Sequence, residues 1–339
     1  LVAFILYHTN FKALCYNKDG DDMKELKGMK DGIVGFAIGD AMGTPTEFYT
    51  RKELLKNPIM DMVPSIEKGT PMGAWSDDTA MTLAEMQAII DKGIDYKEMA
   101  DNFVSWMGTG DFSSTGKQFG IGNTTLSALW RYAHENVSVD DCGGKDIKDN
   151  GNGSLMRMLP LAYYFYYKPT PKDQMYEIIK KTSSITHAHE ISILGCYIYV
   201  IFVLELLKGN SKEEAYRHIK AHNYKRFNDE TLAYYKRILK DNLDKLTIND
   251  IKSTGYVVDT LEAVLWVFLK AKDYQECIIA TTNIGGDTDT IGALVGGLAG
   301  IYYGYNTIPN KWLNGILRKD YIENLCLNFE MSVKNGKKN

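Results

Sequence analysis

Apolar positions recur along this chain at spacings of three and four residues, the period of a helix face, and no stretch alternates at two. Residues 26–48, LKGMKDGIVGFAIGDAMGTPTEF, set Gly32, Gly35, Gly39 and Gly43 on one such face, and Pro45 ends the helix. Glycine is costly inside a helix, so this face is expected to lie against another backbone. Asp40 stays inside the helix and Glu47 falls in the loop beyond, where a solvated carboxylate is the simpler reading. Residues 56–74 hold Pro58, Pro64, Gly69, Pro71 and Gly73 and read as a loop. Ser76 then caps a helix carried by Met81, Leu83, Met86 and Ile89, with Asp77 and Asp78 in its first turn. Residues 96–107 form a further amphipathic helix, residues 211–250 read as an exposed pair of helices, and two apolar helices follow residue 253. The pattern predicts an all-α protein: a single compact multi-helix orthogonal bundle whose conspicuous loops sit at helix N-termini.

One segment raises the question of a membrane. Residues 191–207, ISILGCYIYVIFVLELL, are nearly all apolar and just long enough to cross one. Glu205 inside the run, and His187, His189 and Glu190 before it, favour a buried core helix. The apolar start LVAFIL lacks a basic flank and a small-residue cleavage site. Residues 1–22 are expected to be an extension outside the fold, and residues 23–335 the domain. Of 339 residues, 45% are hydrophobic and 24% charged, as in an ordinary globular protein, and the net charge of −4 does not suit a general nucleic-acid binder. Five cysteines are scattered with no CxxC pair, which points to reduced thiols in a cytoplasm and away from zinc or a disulfide framework. Nothing signals a membrane partner or a second subunit, so a monomer is expected.

Polar Gly-rich stretches mark several helix entrances. Residues 108–130, GTGDFSSTGKQFGIGNTTLSALW, come close to a phosphate loop, but Gly110 stands one residue too far from Gly116-Lys117 and Gln118 replaces the hydroxyl residue. Gly122, Asn123 and Thr124 at a helix start could still present N–H groups to an anion. Gly151, Asn152, Gly153 and Ser154 precede another helix, with Arg157 one turn in. Either a plain turn or an anion cradle fits them, just as His187 could be a cap or a ligand.

Residues 283–304, NIGGDTDTIGALVGGLAGIYYG, place Asp287 and Asp289 after a Gly-Gly turn, each followed by a threonine, at the head of a helix with almost no side-chain bulk. Together with Ser76, Asp77, Asp78 and Thr290 they offer oxygen ligands only, which suit Mg²⁺, Mn²⁺ or Ca²⁺. Facing carboxylates repel one another unless cations intervene, and two divalent ions about 3.5–4 Å apart would serve. An EF-hand is excluded because loop position twelve is Leu298.

The motifs GDAMGTPTEF, WSDDTAMTLA, GIGNTT, GNGSLMRMLPLA, THAHE, TGYVVDTLEA and NIGGDTDTIGALVGGLAG, in this order, resemble the ADP-ribosylglycohydrolase family over residues 26–316. The resemblance implies an all-α fold and a dinuclear Mg²⁺ or Mn²⁺ centre held by Ser76, Asp77, Asp78, Asp287, Asp289 and Thr290. It implies that Glu47 is an acid beside the metals, with Glu47 and Asp78 catalytic, and that Gly122, Asn123, Gly151, Asn152, Gly153, Ser154, His187 and Tyr256 line an ADP-ribose pocket. The implied reaction cleaves the N- or O-glycosidic bond between ADP-ribose and a modified acceptor, foremost an arginine on a protein. A small-molecule acceptor, a metal-dependent phosphohydrolase on free nucleotides, and a non-catalytic ADP-ribose binder stand as alternatives. One departure stands out: some relatives carry aspartate before Ile-Gly-Asn-Thr, whereas this chain has Gly120.

Overall fold

The structure, a computed structural model, describes residues 27–335; the expectation for residues 1–22 therefore lies outside the described residues. In chain order the α-helices are α1 (Met29–Gly43), α2 (Arg51–Lys56), α3 (Asp77–Lys92), α4 (Tyr96–Thr109), α5 (Asn123–His134) and α6 (Leu159–Tyr167). Next come α7 (Lys172–Ser184), α8 (Glu190–Leu207), α9 (Lys212–Ala221), α10 (Asp229–Tyr234) and α11 (Lys236–Leu239). The last are α12 (Val257–Lys270), α13 (Tyr274–Thr282), α14 (Thr288–Tyr303), α15 (Asn310–Gly315) and α16 (Lys319–Asn335). Among the described residues there is no β-strand, only three isolated bridges, and the expected all-α fold is what forms.

Two helices with little side-chain bulk form the centre. The glycine face of α1 packs on the glycine face of α14, so that each backbone supplies the surface the other lacks. A Cβ built on Gly35 would lie 2.5 Å from the Gly296 carbonyl oxygen, and one on Gly292 the same distance from that of Gly39. At Gly39, Gly43 and Gly300 the added atom would fall closer still to the carbonyls of Gly292, Thr288 and Asp31. The register is pinned at the far end by hydroxyls: Thr288 Oγ1 donates to the Gly43 carbonyl at 2.9 Å, and Thr46 Oγ1 donates to that of Thr282 at 2.8 Å.

The 18-residue α8 has a mean hydropathy of 2.0 and passes the length test for a membrane span, but 83% of it is buried inside the protein. It is the core helix the sequence favoured. Residues 211–250 correct the expected pair of exposed helices. Only α9 is of ordinary length there, and the remainder breaks into α10, α11 and two 3-10 turns. Asn228 and Thr247 cap new turns before a long helix can propagate. Tyr216, Phe227, Tyr235, Ile238 and Leu243 are buried against the core, while most of the other residues of this segment are exposed, as expected.

The helix contact gives a matched test. Gly39→Ala should cost at least about 2 kcal/mol in urea denaturation, because the methyl group meets backbone that cannot rotate away. Gly108→Ala, in α4 with open space around it, should be neutral or stabilising by up to about 1 kcal/mol. Equal stability of the two variants would contradict the packing described.

Candidate functional site

α3 and α14 start side by side, and their acidic first turns face each other. Thr290 Oγ1 donates to Asp78 Oδ2 at 3.3 Å, linking residues 212 positions apart in sequence, and Ser76 Oγ donates to the same oxygen at 3.0 Å. The carboxylates of Glu47, Asp287 and Asp289 bring one oxygen each within 4.8 Å of one another.

What aligns the two entrances is Asp40, on α1 and fully buried. One of its oxygens accepts from Ser76 N at 2.9 Å, and the other accepts from Thr79 N at 3.0 Å and Thr79 Oγ1 at 2.6 Å. It thus satisfies free N–H groups at the start of α3. The Asp287 turn is set by Gly286, whose φ of +78° suits glycine and whose α-carbon faces the Ser253 carbonyl, to which Asp287 N donates at 2.8 Å. Asn152 Nδ2 donates to Asp287 Oδ2 at 2.5 Å and to Thr260 Oγ1 at 2.9 Å, tying the carboxylate to the opposite wall.

These acids floor a cavity of about 360 Å³. Its other walls are Gly122, Asn123 and Thr124 at the start of α5, the Gly151–Gly153 turn with Met156, and His187; Lys148 stands at the rim. Of the residues expected from the sequence, Ser76, Ser154 and Tyr256 fall outside this wall. Ser76 caps α3 behind the acids. Ser154 is fully buried, accepting from Ser183 Oγ at 2.9 Å. Tyr256 pairs by its backbone with Gly151, and its neighbour Gly255 lines the cavity instead. Arg157 is corrected as an anion ligand: it is fully buried and donates to the Gly153 and Thr182 carbonyls and to Thr186 Oγ1. His187 is buried with Nδ1 2.8 Å from Thr186 Oγ1, and the cap of α8 is His189. Burial, with Arg157 adding to it, pushes the His187 pKa down to about 3, so the ring is neutral.

Gly120 is explained by Asp77. Its φ is +90°, and a Cβ there would run into Asp77 Oδ1. An aspartate at this position would need a different backbone, and here the carboxylate of Asp77 takes up the space. Lys68 was not foreseen. It sits in a loop without periodicity, and its ammonium pairs with Glu47 and lies 3.7 Å from Asp289 Oδ2. Asp40 could have been found, since an acid in an otherwise apolar helix needs a buried partner.

The acids strain the fold electrostatically. Burial, with Asp289 and Asp40 adding to it, raises the Asp77 pKa to about 8; burial, then Asp289, raises Asp40 to about 6. Asp78 and Asp287 are raised well above the ordinary range, by burial first and by neighbouring carboxylates second. A pKa raised on folding favours the protonated fold, so this stability is complete below about pH 4 and is lost as pH rises through about 8. In chelator, Tm should therefore be higher at pH 6 than at pH 8, and added Mn²⁺ should raise the pH 8 value most. A chelated protein with a flat or opposite trend between these pH values would contradict the clustering.

The model of the ADP-ribosylglycohydrolase family matches residues 24–338. The chain is 30% identical to the ADP-ribosylarginine hydrolase Tri1 of Serratia proteamaculans, over 92% of this chain and 80% of that one. It is also 30% identical to the ADP-ribosyl-[dinitrogen reductase] glycohydrolase of Rhodospirillum rubrum, over 83% and 87%. A solved structure described as an ADP-ribosylglycohydrolase-related protein complex superposes with a TM-score of 0.76 at 26% identity, covering 90% of this chain and 98% of its own. With motifs, fold and cavity in agreement, this chain belongs to the ADP-ribosylglycohydrolase family, hydrolases acting on glycosyl bonds.

Proposed function

We propose that this protein hydrolyses the N-glycosidic bond between ADP-ribose and an arginine side chain of a modified protein, releasing ADP-ribose, with two Mg²⁺ or Mn²⁺ ions as cofactors. The observation that carries this reading is the meeting of two acidic helix entrances in one cavity with the N-terminus of α5 and the Gly151–Gly153 turn. Helix N-termini and a lysine favour anions, so the ADP part is placed toward the start of α5, the Gly151–Gly153 turn and Lys148. The sugar's anomeric end then lies over the acids.

The residues fit hard cations. All donors are oxygens, and Asp78 Oδ1 is buried without a hydrogen-bond partner, a costly state for a carboxylate that a cation would relieve. Ser76, Asp77, Asp78, Asp287, Asp289 and Thr290 would hold the ions, Ser76 from behind the cavity wall. Bound ions supply positive charge and lower the pKa of a water in the site. Glu47 lies at the open edge of the acidic group, with its side chain 10% exposed, where it can take a proton from water attacking the anomeric carbon. Lys68 holds that carboxylate in the resting state and must release it for the proton transfer. Asp78 is anchored by Ser76 and Thr290, so its part is to fix the floor and to stabilise positive charge on the opening sugar ring. His187, neutral and buried, contributes shape and a hydrogen bond rather than charge.

Glu47→Gln should abolish release of ADP-ribose from an arginine-modified protein while leaving Mn²⁺-dependent thermal stabilisation largely intact. Asp289→Ala should remove both. Product analysis on the wild type separates the chemistries: free ADP-ribose supports the reading, whereas AMP or inorganic phosphate indicates phosphohydrolysis. Full activity of either variant would contradict the assignment.

A further inference from the structure

One residue at the mouth of the cavity has a conformation that its side chain does not favour. Phe48 follows Glu47, lines the cavity, and is 77% exposed, with φ at +68°. For a bulky aromatic residue the left-handed region is a strained position that a glycine would occupy freely. The backbone is nevertheless fixed there: Phe48 N donates to the Gly286 carbonyl at 2.7 Å, and Gly286 N donates to that of Tyr49 at 2.9 Å. The ring is thus registered to the turn that presents Asp287, while packing explains little of its presence.

The cavity's polarity says what passes this ring. In the proposed function the ADP part leaves the acidic floor toward the start of α5 and the Gly151–Gly153 turn. The group attached to the anomeric carbon must leave by the other side, past Glu47 and Phe48. The next residue, Tyr49, donates its hydroxyl to Glu67 Oε1 at 3.0 Å, so an exposed carboxylate is tied to the residue that follows the ring. An open ring with a neighbouring acid is a suitable surface for a flat, weakly hydrated cation.

We propose that Phe48 determines acceptor specificity by stacking on the guanidinium of the modified arginine, with Glu67 supplying the adjacent negative charge. The inference rests on the arginine reading and goes beyond it in naming the residue that selects arginine. The ammonium of Lys68, the nearby cation of the chain itself, is engaged by Glu47 and lies 3.7 Å from Asp289 Oδ2.

Phe48→Gly is the informative variant, because it removes the ring and relieves the backbone at once. Its Tm should equal or exceed that of the wild type. Its KM for an ADP-ribosylarginine peptide should rise about tenfold, while inhibition by free ADP-ribose changes less than about twofold. Phe48→Tyr, which keeps the ring, should restore the wild-type KM. An unchanged KM in Phe48→Gly would overturn the proposal, and so would a parallel loss of ADP-ribose inhibition, which would assign the ring to the nucleotide side. A wild type that releases no ADP-ribose from the arginine peptide would remove the proposed function and this inference together, a result distinct from both.

Discussion

Where α1 and α14 cross, carbonyl oxygens of one helix occupy the places that side chains of the other would take, and the rest of the site depends on that approach. Glycines at 35, 39, 292, 296 and 300 leave no room for a Cβ, so neither helix can shift without losing the contact. α1 then reaches the second half of the site through Asp40, whose two oxygens hold the start of α3. A single helix therefore sets the position of both acidic entrances, one through backbone contact and the other through a buried carboxylate. Close packing makes such an arrangement rigid, as a cavity for chemistry requires.

The arrangement is unfavourable on its own terms. Asp40, Asp77, Asp78 and Asp287 are all pushed toward protonation by burial and by one another. Structures keep such strain where function uses it. The chain answers part of it with the Lys68 ammonium, and in the proposed reaction divalent cations answer the rest. The cavity's lining is divided in the same way: Asp77, Asp78, Asp287 and Asp289 on one part, and the start of α5, the Gly151–Gly153 turn and Lys148 on another. In the proposed function, the nucleotide sugar would lie across that boundary.

The helices around the core were legible because their apolar period is strong and their caps are ordinary. The glycine faces of α1 and α14 were also legible as close-contact surfaces, although only the fold shows that they meet each other. SDDT and GGDTDT each announce an acidic helix start, yet their convergence is a tertiary fact that spacing along the chain does not contain. In residues 211–250 the charges do face solvent, but the pattern did not show that caps break the segment into short helices anchored on the core by Tyr216, Tyr235 and Ile238. Ser154 and Arg157 misled in another way. A Gly-rich turn before a basic residue looks like an anion site, but here the guanidinium folds back to satisfy the carbonyls of Gly153 and Thr182. Lys68 and Phe48 carry no local pattern, and only the positions of Glu47 and Gly286 give them meaning.

The central claim is that two chain-distant acidic turns form one cation centre. Anomalous diffraction from crystals grown with Mn²⁺ tests it most directly. Two anomalous peaks are expected between the carboxylates of Asp77 and Asp78 on one side and those of Asp287 and Asp289 on the other. Manganese bound to only one of the two turns, or elsewhere on the protein with this cleft empty, would contradict it.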